Sequence, residues 1–94
     1  MYFKQDARNI IKKVYESDTE DPLGDCDEKL HARFDNEEYK VIFIQEYLED
    51  LSPLIVAQHF DYLLAQGVNS DNVLVYPLQD YNVFNIVALV KRNK

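Results

Sequence analysis

Three side chains in this sequence have chemistry suited to catalysis: two histidines and one cysteine. His31 and His59 could transfer protons near neutral pH, but nothing in the sequence pattern places them together. Cys26 lies between Asp25 and Asp27, and two adjacent carboxylates disfavour the thiolate, which is the reactive form. We therefore predict no catalytic residues and no enzymatic activity, and we interpret Cys26 and the histidines as bystanders.

The carboxylates between residues 16 and 28 are the other group with potential chemistry. The segment contains seven acids and no base: Glu16, Asp18, Glu20, Asp21, Asp25, Asp27 and Glu28. Clustered carboxylates suit calcium, but counting from Asp18 puts Pro22 at the fifth position and Gly24 one place late for a calcium-binding loop. The chain has only two glycines, so it lacks a glycine-rich phosphate-binding loop. We predict no metal and no cofactor.

Charge is distributed unevenly along the chain. The formal net charge is −7, and residues 14–90 contain 16 acids against only three bases. Most bases lie near the ends, including a helical stripe of Lys4, Arg8 and Lys12 that we interpret as a solvated face. Because affinity for nucleic acid depends mainly on Lys and Arg, the sequence argues against direct nucleic-acid binding and favours a basic protein partner.

Exposed carboxylates on a folded scaffold can occupy the positions that DNA phosphates take in a basic groove. The sequence predicts a contact surface made of the seven acids of residues 16–28 together with Glu46, Glu49, Asp50, Tyr47, Tyr76 and Tyr81. The expected function is inhibition or sequestration of a basic, nucleic-acid-handling protein by DNA mimicry. The composition is similar to that of small phage and bacterial proteins that block restriction, CRISPR or transcription machinery.

The first half of the chain is predicted to form one helix and a hairpin. Apolar residues recur at helical spacing over residues 3–15, whereas Pro22 and Gly24 and the run of acids predict a solvated loop over residues 16–28. Leu30, Ala32 and Phe34 alternate with charged residues and predict a strand. A turn at residues 35–38 and a second strand from residue 39 complete the predicted hairpin.

The second half repeats this order. Ser52 and Pro53 predict the start of a helix over residues 53–66, and Gly67 its end. Strands follow at residues 73–76 and 83–90; Pro77 predicts an edge strand or a bulge, and the apolar last strand is predicted to be central or covered by a second subunit. The 94 residues therefore predict one α+β domain, ordered α-β-β-α-β-β, with a mostly antiparallel four-stranded sheet and both helices on one face.

Three other functions are consistent with the sequence. One is a structural or adaptor subunit, or a homodimer, that associates through the last strand and the tyrosines. Another is an immunity protein or antitoxin that blocks a basic nuclease, and the last is a small enzyme using His31 or His59. The start of the chain lacks a signal-peptide pattern and no apolar run is long enough to cross a membrane, so we expect a cytoplasmic protein without membrane contact.

Overall fold

A computed structural model describes residues 3–92, and shows a three-stranded antiparallel sheet with helices on both faces. Met1, Tyr2, Asn93 and the terminal base Lys94 lie outside the described residues. The elements are α1 (Phe3–Glu16), α2 (Pro22–Phe34), β1 (Tyr39–Tyr47), α3 (Pro53–Ala65), β2 (Val73–Leu78) and β3 (Val83–Lys91). Single 3₁₀ turns occupy Leu48–Asp50, Ser70–Asn72 and Gln79–Tyr81.

β3 is the central strand and pairs antiparallel with both neighbours, in the order β1-β3-β2. Every residue from 83 to 90 is buried. Val87 and Leu89 pack toward α1 and α2, whereas Ile86 and Ala88 belong to the core on the opposite face. The central position predicted for the last strand is confirmed, and so is the edge position of the strand that contains Pro77.

The predicted strand at residues 29–34 and most of the predicted loop over 16–28 are wrong. Residues 22–34 form α2, which buries Cys26, Leu30 and Phe34 at steps of four. Ala32 separates the two interpretations: a strand with one buried face would bury it with Leu30 and Phe34, whereas the helix leaves it exposed. Only residues 17–21 connect α1 to α2, so residues 3–92 form a sheet of three strands and three main helices.

The helices also cover both faces of the sheet, instead of the single face that was predicted. On one face α1 packs over β2 and α2 packs over β1. β1 and β2 run parallel to each other on either side of β3, so the connection between them has to cross a face of the sheet. α3 makes this crossing on the second face, where its Leu63 packs with Ile42, Ile86 and Ala88.

The predicted ends of α1 and α3 agree with the structure. The Ser52 hydroxyl accepts a hydrogen bond from the Ile55 amide at 3.2 Å and caps α3. Gly67 follows α3 with φ at +83°, a conformation that glycine adopts without steric cost. Asn82 takes the left-handed conformation in the turn between β2 and β3.

Asp35 joins three elements at one end of the sheet. It follows α2, and its carboxylate accepts the Val41 amide of β1 at 3.0 Å and the Arg92 guanidinium, just beyond β3, at 2.6 Å. The Val41 hydrogen bond, with the Arg92 contact as a further cause, holds the pKa of Asp35 below its ordinary value.

We expect Asp35→Asn to lower the free energy of unfolding at neutral pH by about 1 kcal/mol, because the ion pair with Arg92 is lost. Since the folded-state pKa of Asp35 lies below its unfolded value, its contribution is present above the unfolded pKa and disappears as the pH falls through the folded one. Urea denaturation of both proteins across the acid range should show the difference narrowing as the pH falls. A difference that is the same at every pH would contradict this account.

Candidate binding surface at the acidic end

The two acidic segments predicted from the sequence meet at one end of the molecule. α1 ends here and α2 begins, while β1 ends and continues into the turn Leu48–Asp50. Leu23 of α2 shares a small cavity of about 210 Å³ with Gln45, Glu46 and Tyr47 of β1 and with Val83. Residues 16–25, 46–50 and 79–82 therefore form one surface region, which we call the acidic end.

A buried polar network holds the acidic end together. The Gln45 side-chain amide donates to the Tyr15 hydroxyl at 2.7 Å and to the Asn85 side-chain oxygen Oδ1 at 2.9 Å, and so joins α1, β1 and β3. The Tyr81 hydroxyl donates to the Tyr15 backbone carbonyl at 2.9 Å, and the two rings meet edge to face. Burial raises the pKa of Tyr15, so this phenol stays neutral.

The sequence analysis did not predict this network. The available signal was Asn85, the one polar residue in an otherwise apolar strand. Asn85 is fully buried, and its Nδ2 atom has no hydrogen-bond partner among residues 3–92. An unpaired polar group in a low-dielectric interior is costly, so the stability of the fold depends strongly on the hydrogen bond that Asn85 accepts from Gln45.

Four of the predicted contact acids have structural partners. Asp21 caps α2 by accepting the Gly24 amide at 3.1 Å, and Asp25 accepts a hydrogen bond from the Thr19 hydroxyl. Asp27 lies 2.9 Å from the His31 ring, and Glu46 lies 2.9 Å from the Nε2 atom of His59 on α3. These four side chains therefore also make contacts within the fold.

Other predicted contact acids are exposed and lack a close cationic partner. The closest base to Glu16 is Lys12, at 4.0 Å, where an exposed pair contributes little. Within the described part of the chain, the remaining exposed acids of the two segments make no ion pair: Asp18, Glu20, Glu28, Glu49 and Asp50. All except Glu28, which lies on α2 beyond this region, belong to the acidic end, so this surface carries four predicted contact carboxylates that make no ion pair within residues 3–92.

The three predicted tyrosines differ in their surroundings. Tyr47 and Tyr81 belong to the acidic end, with 58% and 49% of their surface exposed. Tyr76 is half-buried against the core formed by α1 and α2. The acidic end therefore combines carboxylates with two accessible aromatic side chains.

Bases collect at the opposite end of the sheet. α1 begins there with Lys4, β1 begins there with Lys40, and β3 ends there with Lys91 and Arg92. Arg33, at the end of α2, pairs with Asp6 of α1 at 3.1 Å, which confirms that the two helices run antiparallel. The fold thus converts an uneven sequence into a molecule with one acidic end and one end richer in bases.

The fold does not bring the two histidines together. His31 on α2 and His59 on α3 lie on opposite faces of the sheet, although each contacts a carboxylate. Burial, and then the neighbouring Asp25 carboxylate, raise the pKa of the Cys26 thiol to about 12. Across residues 3–92 there is no group of three or more His, Cys, Asp or Glu side chains arranged to hold a metal ion.

Comparison with known proteins does not assign this chain to a family. No protein-family model matches it, and the searches of curated proteins and of solved structures find no match either. Among the described residues, no helix combines the length and apolar character needed to cross a membrane.

We expect Gln45→Met to lower the free energy of unfolding by about 1–3 kcal/mol, because it removes the hydrogen-bond donor that serves both Tyr15 and Asn85. Leucine is close in shape to asparagine. Asn85→Leu should therefore lower the free energy of unfolding less in the Gln45→Met variant than in the wild-type protein. Urea denaturation of the two single variants and the double variant gives the coupling energy, expected near 1 kcal/mol. Strictly additive effects would show that the two amides are not energetically linked.

We also expect the Cys26 thiol to be protected in the folded protein, because it is buried and its pKa lies far above neutrality. A colourimetric thiol reagent at mildly alkaline pH should react on the order of a hundredfold more slowly with native protein than with protein in concentrated urea. Comparable rates in both conditions would mean that the core around Cys26 is open to solvent.

Proposed function

We propose that this protein is a non-enzymatic binding protein that inhibits or sequesters a basic partner through its acidic end. The observation that supports the proposal is the convergence of two acidic segments, distant in sequence, on one surface where several carboxylates have no counter-ion. The partner proposed is a protein that handles nucleic acid, since such proteins present Lys and Arg in grooves shaped for phosphates. The proposed compartment is the cytoplasm, because a chain with one cysteine does not depend on an internal disulfide.

The physical basis of this binding is charge complementarity between exposed surfaces. Exposed charges act over about 10 Å at moderate salt, so the acidic end speeds the encounter with a basic groove and orients it. Tyr47 and Tyr81 add exposed aromatic area at the same end. Such a complex should weaken as salt rises and should compete with nucleic acid for the same groove.

The homodimer alternative has less support from the fold. β3 is covered on both faces by the chain itself, and its two edges are paired with β1 and β2. Its apolar character is therefore explained without a second subunit. An immunity protein or antitoxin acting on a basic nuclease would use the same surface and differs only in its target.

Two matched variants test the proposed surface. Glu20→Gln with Glu49→Gln removes two charges from the acidic end, whereas Glu37→Gln with Glu38→Gln makes the same chemical change at the other end. Because exposed charges contribute about 0.5–1 kcal/mol each, the first pair should weaken partner binding about fivefold to thirtyfold at low salt. The second pair should leave it within about twofold.

The partner for this measurement is obtained by capture on the immobilised protein from a lysate of the source organism, followed by elution with rising salt. Affinities of the purified partner for the wild-type protein and both double variants are then measured at low and high salt, with and without competing duplex DNA. Equal affinities for the two double variants, or no competition by the duplex DNA, would overturn the proposal.

A further inference from the structure

An apolar groove runs along the second face of the sheet, between α3 and the edge strand β2. It consists of two adjoining hollows of about 290 and 240 Å³, which share Phe60 of α3 and Val75 of β2. Phe84 and Ile86 of β3 form the floor of the first hollow. Apolar side chains that line the groove are unusually exposed: Leu64 and Val75 have 70% and 46% of their surface in contact with solvent.

The groove exists because this face has one helix fewer than the other. On the first face α1 covers β2 and α2 covers β1, so two helices span three strands. On the second face α3 is tied toward β1 by the contact between His59 and Glu46. Within the described part of the chain, no second helix packs beside α3 over β2 on this side, which leaves room for another helix to pack alongside it.

The charge around the groove indicates what kind of helix would fit. The chain has no Lys or Arg at all between residues 41 and 90, the stretch that supplies every residue lining the groove. Exposed acids stand next to lining residues in the sequence instead: Glu49 and Asp50 precede Leu51 at one end, Asp61 follows Phe60, and Asp71 follows Ser70 at the other end. Such a rim repels a second copy of this chain and attracts a cationic segment.

We propose that the groove binds an amphipathic helix of the partner, one with an apolar stripe and Lys or Arg on its flanks. The apolar stripe fills the two hollows at a spacing of one helical turn, matching Val56, Phe60 and Leu63 or Leu64 along α3. The basic flanks meet the acidic rim. The bound helix completes the second layer of the sheet in the position that α1 occupies on the first.

This inference rests on the proposed function, because it names the element of the basic partner that is bound. The groove begins beside the acidic end: Leu48 and Leu51 line its first hollow, and Glu49 and Asp50 lie between them. A partner helix in the groove would therefore place the rest of the partner against the acidic end.

The test uses a synthetic peptide of about 14 residues, which as a helix spans about 20 Å, the length of α3. Its leucines lie at helical spacing and its remaining positions are lysine. Two controls are a peptide of the same composition in scrambled order and a peptide with glutamate in place of lysine. Affinity is measured by fluorescence anisotropy, and the contact surface is mapped from amide chemical shifts of the isotopically labelled protein.

The leucine-lysine peptide should bind at least about tenfold more tightly than either control and should shift amides along α3 and β2. Leu64→Gln with Val75→Thr makes the groove polar without altering charge, and should weaken this binding about tenfold. Leu54→Gln is the matched control, since Leu54 is also exposed on α3 but lines neither hollow. The affinity of the Leu54→Gln variant for the leucine-lysine peptide should stay within about twofold of the wild-type value.

Several results would overturn the inference. If the scrambled peptide binds equally well, or if the amide chemical shifts change only at the acidic end, the groove is not the binding site. The proposed function would be unaffected by either result. Sedimentation that shows a dimer of the wild-type protein, lost on Leu64→Gln with Val75→Thr, would identify a second copy as the occupant. A different result would contradict the proposed function instead. If the natural partner binds Glu20→Gln with Glu49→Gln as tightly as the wild-type protein, but binds Leu64→Gln with Val75→Thr more weakly, the acidic end is not the contact surface and the groove is.

Discussion

The burial of β3 on both faces is the constraint on which the rest of this structure depends. Eight consecutive buried residues, from 83 to 90, require a covering layer on each side of the sheet. Apolar burial contributes about 25 cal/mol per Å², so an uncovered face of this strand would forfeit much of the small stability that a chain of this length has. With three helices available, one face receives two helices and the other receives one.

The surface features follow from this arrangement of layers. β1 and β2 lie on either side of β3 and both run antiparallel to it, so the ends of β1 and β2 and the start of β3 lie together. α2 runs antiparallel to α1, which brings the connection between the two helices to the same end. The topology thus brings the carboxylates of residues 16–25 and 46–50 together. The hydrogen bonds of Gln45 connect the end of α1 to β1 and β3 beside them.

Local signals in the sequence predicted some elements and failed at others for a physical reason. Ser52 followed by Pro53 marks the start of α3, and Asp21 followed by Pro22 is the same signal at the start of α2. The second signal was not recognised: we predicted a solvated loop at Pro22 and a strand at Leu30 and Phe34. A spacing of four positions fits both a strand and a helix, so only tertiary packing against α1 decides between them. The acids of the surface were visible in the sequence, but their convergence depends on pairing between distant segments, which composition does not encode.

The absence of Lys and Arg from residues 41–90 links the acidic end to the apolar groove. An exposed apolar face ordinarily promotes association between copies of the same protein, because burying it lowers the free energy. Here every copy presents the same uncompensated carboxylates around that face, and the like charges oppose such pairing. The same charges lower the energy of a cationic apolar segment at the same place. One distribution of charge would therefore oppose self-association and attract the proposed basic partner, because selectivity is a difference between two binding free energies.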